Sequence, residues 1–226
     1  QRLKPAVGHG GMALPRREDD ADVVSGGRPG RGLYVSGRIV SLQATQLCRI
    51  RRILLAGGVV AYPTEGVYGL GCDPDDARAV GRVLILKKRP LGKGLILVAS
   101  QFHQLDRYLA PVAPELVQRA LATWPGPVTW LWPARPWVPV WLRGHHTCLA
   151  VRVSAHPVVV ALCEALGGPL VSTSANKSGR PPARSKHVLR RSFGRQVDAI
   201  VPGQCGNLGR PSEIRDLLSN TVVRAR

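Results

Sequence analysis

The sequence predicts an α/β domain, with a twisted mixed sheet wrapped around a deep basic cavity and helices on the outside. Three observations lead there. Short apolar runs rich in β-branched residues (Val59 to Tyr62, Gly94 to Ala99, Val128 to Trp132, Leu149 to Val153, Leu170 to Thr173) alternate with segments whose apolar residues recur at helical spacing. Polar side chains gather where two of those runs end, at Thr64-Glu65 and at Ser172 to Gly179, and strand ends are where such folds place their chemistry. The formal net charge of +18, with a pI near 11.1, exceeds what a neutral substrate requires and points to an anionic partner such as RNA.

Residues 1 to about 36 are rich in Gly, Pro and Arg and show no period of 2 or 3.6, which reads as a disordered basic extension ahead of one domain spanning residues 39–226. From Ser41 to Ala56 the residues Leu42, Leu47, Ile50 and Leu54 fall on one helical face, with Arg49, Arg51 and Arg52 opposite. Val59 to Tyr62 is a strand that stops at Pro63, and Gly66, Gly69 and Gly71 read as a loop kept free of bulk. A helix entered at Pro74-Asp75 carries Ala79, Val83 and Leu86 on one face and ends in Lys87, Lys88 and Arg89 before Pro90. Cations suit a helix C-terminus, but Lys87, Arg89 and Lys93 also form a cluster that faces the strand end and suits a polyphosphate.

Gly94 to Ala99 is continuous and apolar, as in a strand buried on both faces. Two short helices follow, Gln101 to Leu109 and Pro114 to Ala122, the second with Pro at a first helical position. Trp124 to Trp141 holds all five tryptophans and five prolines; stacking on bases is one use of such aromatics, and a hydrophobic wall is the reading preferred here. His145, His146 and Cys148 lie ahead of the strand Leu149 to Val153. Adjacent histidines in an extended segment face opposite ways, so no metal site is expected. Arg152, set between Val151 and Val153, needs an anion to be tolerated there, and a substrate carboxylate would suffice. Pro157 to Leu166 and Lys186 to Phe193 read as helices, and Ala199 to Val201 as a strand.

The five cysteines include no C-x-x-C pair, so reduced thiols are expected rather than disulfides or structural zinc. No apolar run is long enough to span a bilayer, and a soluble cytoplasmic protein is expected. No P-loop signature and no G-x-S-x-G elbow occur; cations, hydroxyl-bearing strand ends and one arginine suit positioning and charge stabilisation rather than covalent catalysis.

The stretch YPTEGVYGLGCDP followed by LKKRPLGKGLIL resembles the opening of the YrdC/TsaC family, the threonylcarbamoyl-AMP synthases, and the resemblance resumes in WPGPVTW, LAVRVSAHPVVVALC, PLVSTSANKSGRPPAR and PSEIRD. It implies a nucleotidyltransferase that converts L-threonine, bicarbonate or carbon dioxide, and ATP into threonylcarbamoyl-AMP and pyrophosphate. That is the first step in modifying an adenosine of certain tRNAs, with the product passed to a downstream tRNA threonylcarbamoyl-transferase complex. The residue roles it implies are Lys87 and Arg89 as catalytic cations; Thr64, Arg152, Ser174 and Ser212 around threonine; and Arg89, Lys93, Cys148, Asn176, Arg184 and Arg224 around the nucleotide. Cys148 stands where relatives usually carry Ser or Thr. A magnesium ion is expected with ATP, held mainly by its phosphates. Glu65 is the only carboxylate placed by sequence near the reacting groups. A competing reading from another class is an RNA-binding or ribosome-assembly protein using the same basic cavity. A third is a carbamoyl adenylate-forming domain for metal-centre maturation, which the lack of zinc-finger cysteines disfavours.

Overall fold

The computed structural model describes residues 42–225; the expected extension over 1–36, and the start of the expected domain at 39, lie outside the described residues. The central feature is a nine-stranded mixed sheet in the order β7-β1-β2-β6-β3-β5-β4-β8-β9. Its strands are β1 (Val60–Pro63), β2 (Tyr68–Gly71), β3 (Ile96–Ala99), β4 (Val128–Pro133), β5 (Cys148–Val153), β6 (Leu170–Ser174), β7 (Ala199–Ile200), β8 (Glu213–Asp216) and β9 (Val222–Arg224). Around it lie α1 (Ala44–Leu55), α2 (Ala77–Lys87), α3 (Pro114–Leu121), α4 (Val140–Arg143), α5 (Pro157–Leu166) and α6 (Lys186–Phe193).

Two sequence expectations are corrected. Gly69 and Gly71 do not lie in a loop: they belong to β2, which pairs antiparallel with β1 in the register Val60↔Gly71 and Tyr62↔Gly69. Glycine is needed there because the Tyr62 ring lies across the strand, and a Cβ on Gly71 would fall 2.7 Å from Tyr62 Cε1 and 2.4 Å from the Val171 carbonyl oxygen. The helix expected over Gln101 to Leu109 is only a 3₁₀ segment, Phe102–Leu105, because Leu109 is drawn into a bridge with Ala134. Elsewhere the elements follow local chemistry. Asp76 caps α2 by accepting from the Arg78 and Ala79 amides at 2.9 and 3.1 Å, and Pro114 and Pro157 open α3 and α5.

The side-chain alternation of the strands divides the sheet between core and cavity. On one face Leu97, Ala99, Trp130, Trp132, Leu149, Val151 and Val153 join Ala79, Val80 and Val83 of α2 in the largest hydrophobic cluster. Trp124 and Trp132 stack there, ring centroids 6.5 Å apart, with Phe102 against both. The tryptophan-rich stretch is therefore chiefly a hydrophobic wall, although Trp137 is exposed. On the opposite face Val60, Tyr62, Val98 and Leu170 are covered by Ile50 and Leu54 of α1 and by Val158, Val159 and Leu162 of α5. Those helices cover only part of that face. Over β3, β4, β5, β6, β8 and β9 the sheet lines a cavity instead.

Candidate active site

The cavity has a volume of about 630 Å³. Period-two alternation selects its lining. Cys148, Ala150 and Arg152 of β5 face it, while the alternate residues Leu149, Val151 and Val153 are buried in the core. Ser212, Ile214 and Asp216 line it in the same way along β8. Arg89, Lys93, Arg143, Arg152 and Arg224 bring positive charge to the lining, and among the described residues Asp216 is its only carboxylate.

Each candidate side chain is held by its neighbours. Arg89 follows α2, where Lys88 takes a left-handed turn (φ 51°) and the chain breaks at Pro90. Its Nε donates to the Gly94 carbonyl at 3.0 Å and its Nη2 to that of Lys93 at 3.1 Å. The turn that carries Lys93 thus fixes Arg89 as well. Arg224 Nη2 donates to the Ser212 carbonyl at 2.7 Å. Burial, followed by the repulsion of Arg152 and Arg89, lowers the Arg224 pKa, so these guanidiniums stand within electrostatic reach of one another. Thr64 is buried and its hydroxyl donates to the Val67 carbonyl at 2.7 Å. The proton is committed, which leaves its oxygen lone pairs as acceptors. Ser212 and Thr129 share a buried hydroxyl hydrogen bond of 2.8 Å. Cys148 lies in the lining, and burial raises its thiol pKa, keeping it neutral.

Arg152 has an internal partner that the sequence reading did not assign. Glu65 Oε2 lies 3.3 Å from Arg152 Nη2, with both side chains almost wholly enclosed, and Glu65 Oε1 accepts from the Ser154 hydroxyl at 2.5 Å. Burial by itself would raise the Glu65 carboxyl pKa, but the Arg152 guanidinium and the Ser154 hydroxyl outweigh it and hold the group below the usual carboxylate range. Glu65 is therefore the arginine's counter-ion and a poor base. His156 completes the network: its Nε2–H donates to the Gln204 carbonyl at 3.0 Å. This leaves Nδ1 as a buried acceptor without a partner, and burial lowers the pKa of the ring.

Eight of the expected site residues, namely Thr64, Arg89, Lys93, Cys148, Arg152, Ser174, Ser212 and Arg224, line this one cavity. Lys87, Asn176 and Arg184 do not. Lys87 is buried on the inner stripe of α2, and its ammonium donates to the Ser174 carbonyl, to the Asn176 carbonyl at 2.8 Å and to Asn176 Oδ1 at 3.1 Å. It supports the loop behind Ser174 and is absent from the cavity wall. Asn176 is consumed by that support, since Oδ1 also accepts from Ser174 Oγ at 2.6 Å and Nδ2 donates to the Arg180 carbonyl at 2.6 Å. Arg184 lines a separate cavity of about 530 Å³ with Lys186, Gln204 and Cys205. The reason is local: Ala183 is stitched to Tyr68 and Ala175 by backbone hydrogen bonds of 2.8 and 3.0 Å, which directs the chain past the main cavity.

Ser172, in the polar strand end expected to carry chemistry, lines the cavity, whereas sequence reasoning missed Tyr68, Arg143, His145, His146 and Asp216. For Asp216 a signal was available, because it lies four residues from Ser212 at a period of two. For Arg143, the last residue of the four-residue α4, and for the histidines in the irregular turn that follows it, none was. No group of three or more His, Cys, Asp or Glu side chains suited to a metal occurs among the described residues.

Comparison with known proteins agrees with this architecture. A family model described as "Telomere recombination", covering Sua5, YciO and YrdC, matches residues 52–226. The threonylcarbamoyl-AMP synthase of Nitrosococcus oceani is 57% identical over 165 residues, covering 73% of this chain and 89% of the relative. The crystal structure of P. abyssi Sua5 complexed with L-threonine superposes with a TM-score of 0.74 at 32% identity; it covers 78% of this chain, which spans about half (52%) of the Sua5 chain. E. coli YciO gives a TM-score of 0.70 at 29% identity, covering 82% of this chain and 90% of its own. With the family model covering most of its length and relatives above half identity, the chain belongs to the Sua5/YciO/YrdC family.

Proposed function

We propose that the chain is an L-threonylcarbamoyladenylate synthase. It joins L-threonine, bicarbonate or carbon dioxide, and ATP to give threonylcarbamoyl-AMP and pyrophosphate. The observation that carries this reading is a single cavity that sets Arg152 and the hydroxyls of Thr64, Ser174 and Ser212 beside the cations Arg89, Lys93 and Arg224. The first set suits a small zwitterion bearing a hydroxyl and the second a polyphosphate.

In outline, the neutral amine of threonine combines with bicarbonate to form a carbamate and water. A carbamate oxygen then attacks the α-phosphorus of ATP; the new P–O bond forms as the bond to the bridging oxygen breaks, and the electron pair leaves with pyrophosphate. Arg152 holds the threonine carboxylate, and the Thr64 oxygen, whose own O–H donates to the Val67 carbonyl, accepts from the substrate. Arg89 and Lys93 offset the charge that grows toward pyrophosphate, and Arg224 lies against the nucleotide. Lys87 acts through Ser174 by holding its loop. Among the described residues none is assigned as general base, and carbamate formation can proceed without one. Magnesium, carried by the phosphates, would neutralise part of their charge, and a lining with one carboxylate, Asp216, fits an ion that takes most of its ligands from substrate and water.

We further propose that the product passes to a downstream tRNA-modifying enzyme, in the cytoplasm, and that the chain meets RNA. No helix of the described residues is long and apolar enough to cross a membrane. Support for the RNA contact comes from residues 177–195, where Lys177, Arg180, Arg184, Lys186, Arg190, Arg191 and Arg195 are all exposed and no acidic residue intervenes. The deciding experiment measures pyrophosphate release by the purified protein with each substrate omitted in turn. Release that requires ATP, threonine and bicarbonate together is expected; release independent of threonine would overturn the reading.

A further inference from the structure

Glu65 takes no part in the reaction as outlined, yet few residues are held so firmly. Its side chain is 12% exposed and that of Arg152 only 7%. Backbone contacts fix it from one side: the Gly206 amide donates to the Thr64 carbonyl at 2.9 Å and the Leu208 amide to the Glu65 carbonyl at 3.2 Å. Neighbouring glycines let that strap close. A Cβ on Gly66 would fall 1.9 Å from the Arg210 carbonyl oxygen, and one on Gly206 would fall 2.7 Å from that of Glu65. From the other side, Arg152 and Ser154 engage the two carboxylate oxygens separately, at 3.3 and 2.5 Å. Ser154 is itself fixed, since its oxygen accepts from the His156 amide at 3.2 Å.

The guanidinium of Arg152 is thus used unevenly. Nη2 lies 3.3 Å from Glu65 Oε2, an ion pair in which that oxygen accepts no hydrogen bond, and Nε is enclosed without a partner, on a residue that lines the cavity. A guanidinium is planar and rigid, so fixing one edge fixes the direction of the others.

We propose that Glu65 is a positioning residue for the amino-acid subsite: as the counter-ion beside Nη2 of Arg152 it fixes the plane of the guanidinium, and so the edge that meets the substrate α-carboxylate, making a free carboxylate a condition of binding. The inference rests on the reading of Arg152 as the threonine carboxylate ligand. It gives Glu65 a role that requires no contact with substrate, in keeping with its absence from the cavity lining.

The test uses the full chain and compares L-threonine with L-threoninamide, whose neutral carboxamide cannot form the ion pair. Wild type should strongly prefer threonine. In Glu65→Ala the threonine KM should rise roughly ten- to a hundredfold while kcat stays within about threefold and the ATP KM within about twofold, and the preference over threoninamide should largely vanish. Glu65→Gln keeps an oxygen beside Nη2 and the shape of the side chain, and should retain the threonine KM within about fivefold. Ser154→Ala frees the carboxylate but leaves both charges, so it should raise the KM by an intermediate factor. It carries the test if melting curves show that Glu65→Ala does not fold. An unchanged threonine KM in Ser154→Ala and Glu65→Ala would overturn the positioning role. So would a fall in kcat at constant KM, which would place Glu65 on the reacting atoms, or a Glu65→Gln variant as impaired as Glu65→Ala, which would make its charge the cause. Wild-type protein without threonine-dependent release would overturn the synthase reading and this inference together, whereas normal wild-type turnover beside an indifferent Glu65→Ala overturns the positioning role alone.

Discussion

Lys87 is an ammonium buried at the end of α2, 4% exposed, and replacing it with methionine isolates what that burial costs. Burial, with a smaller contribution from Arg89, lowers its pKa from 10.5 to about 8. A difference of that size corresponds to about 3 kcal/mol between the charged and neutral forms. The sign follows from proton counting. Below pH 8 both folded and unfolded chains carry the charge and the full cost is present. Between pH 8 and 10.5 the unfolded chain binds more protons, so stability rises with pH, and above that range the cost is gone. Urea unfolding of wild type and Lys87→Met across this window should therefore show wild type gaining about 3 kcal/mol on the variant, whatever their difference at neutral pH. At pH 7 the variant should be the less stable. Carbonyl and amide oxygens of Ser174 and Asn176 lose a charged donor, and such bonds are worth roughly 1.5–3 kcal/mol each, more in sum than the relieved burial. Stability profiles that stay parallel to within about 0.5 kcal/mol from pH 7 to 10.5 would refute the burial of Lys87. Its placement behind Ser174 would be refuted by a variant that folds and binds threonine normally but loses about a thousandfold in kcat, since that would put the ammonium on the phosphates.

The remaining expectations concern the nucleotide end and the outer surface. Arg89→Ala combined with Lys93→Ala should raise the ATP KM roughly ten- to a hundredfold and leave that for threonine within about threefold; the opposite pattern in steady-state kinetics would reverse the assignment of the two ends. Cys148→Ser replaces a neutral thiol with a better hydrogen-bonding group at the same cavity wall and should lower the ATP KM by about two- to fivefold. A rise would show that the thiol is fitted to its place. Trp130 is 1% exposed and its Nε1–H donates to Thr123 Oγ1 at 3.0 Å, so Trp130→Ala should cost roughly 3–5 kcal/mol in urea unfolding; a loss under about 1 kcal/mol would contradict its place in the core. Replacing Arg190, Arg191 and Arg195 with alanine should flatten the slope of log RNA affinity against log salt by about 2–3, as expected if each neutralises one phosphate. An unchanged slope would remove this surface from the RNA contact.

Much of the fold was legible because its strands announce themselves locally. Val59 to Tyr62, Leu149 to Val153 and Leu170 to Thr173 are apolar runs that become β1, β5 and β6 to within a residue or so at each end. Helices α5 and α6 begin and end where expected because Pro157 and Ser185 mark their starts and glycines follow their ends. β2 was not legible, since two of its four residues are glycines that only tertiary contacts, the Tyr62 ring across the strand and the Val171 carbonyl, explain. The helix over 101–109 failed for the same kind of reason: a tertiary bridge to Ala134 competes with local propensity and wins.

The site divides along the same line. Residues that share a strand face were found or findable, because a period of two is a property of one segment: Cys148 and Arg152 entered the cavity together for that reason. Residues whose role depends on a partner far along the chain were not. Arg152 implied an anion, but nothing local distinguishes a substrate carboxylate from Glu65, 87 positions earlier, and the structure supplies Glu65 before any substrate arrives. Lys87 is the instructive intermediate case. Its charge and its place before Pro90 suggested a phosphate ligand, whereas its spacing of four from Val83 and eight from Ala79 put it on the buried stripe of α2. Periodicity and charge pointed opposite ways, and periodicity decided the position because the helix must bury that stripe whatever occupies its last turn. The ammonium is then accommodated only by the carbonyls within its reach, and these belong to Ser174 and Asn176, the loop that ends the neighbouring strand. A cation chosen by charge for the substrate thus becomes, by geometry, the support of a residue that lines the cavity.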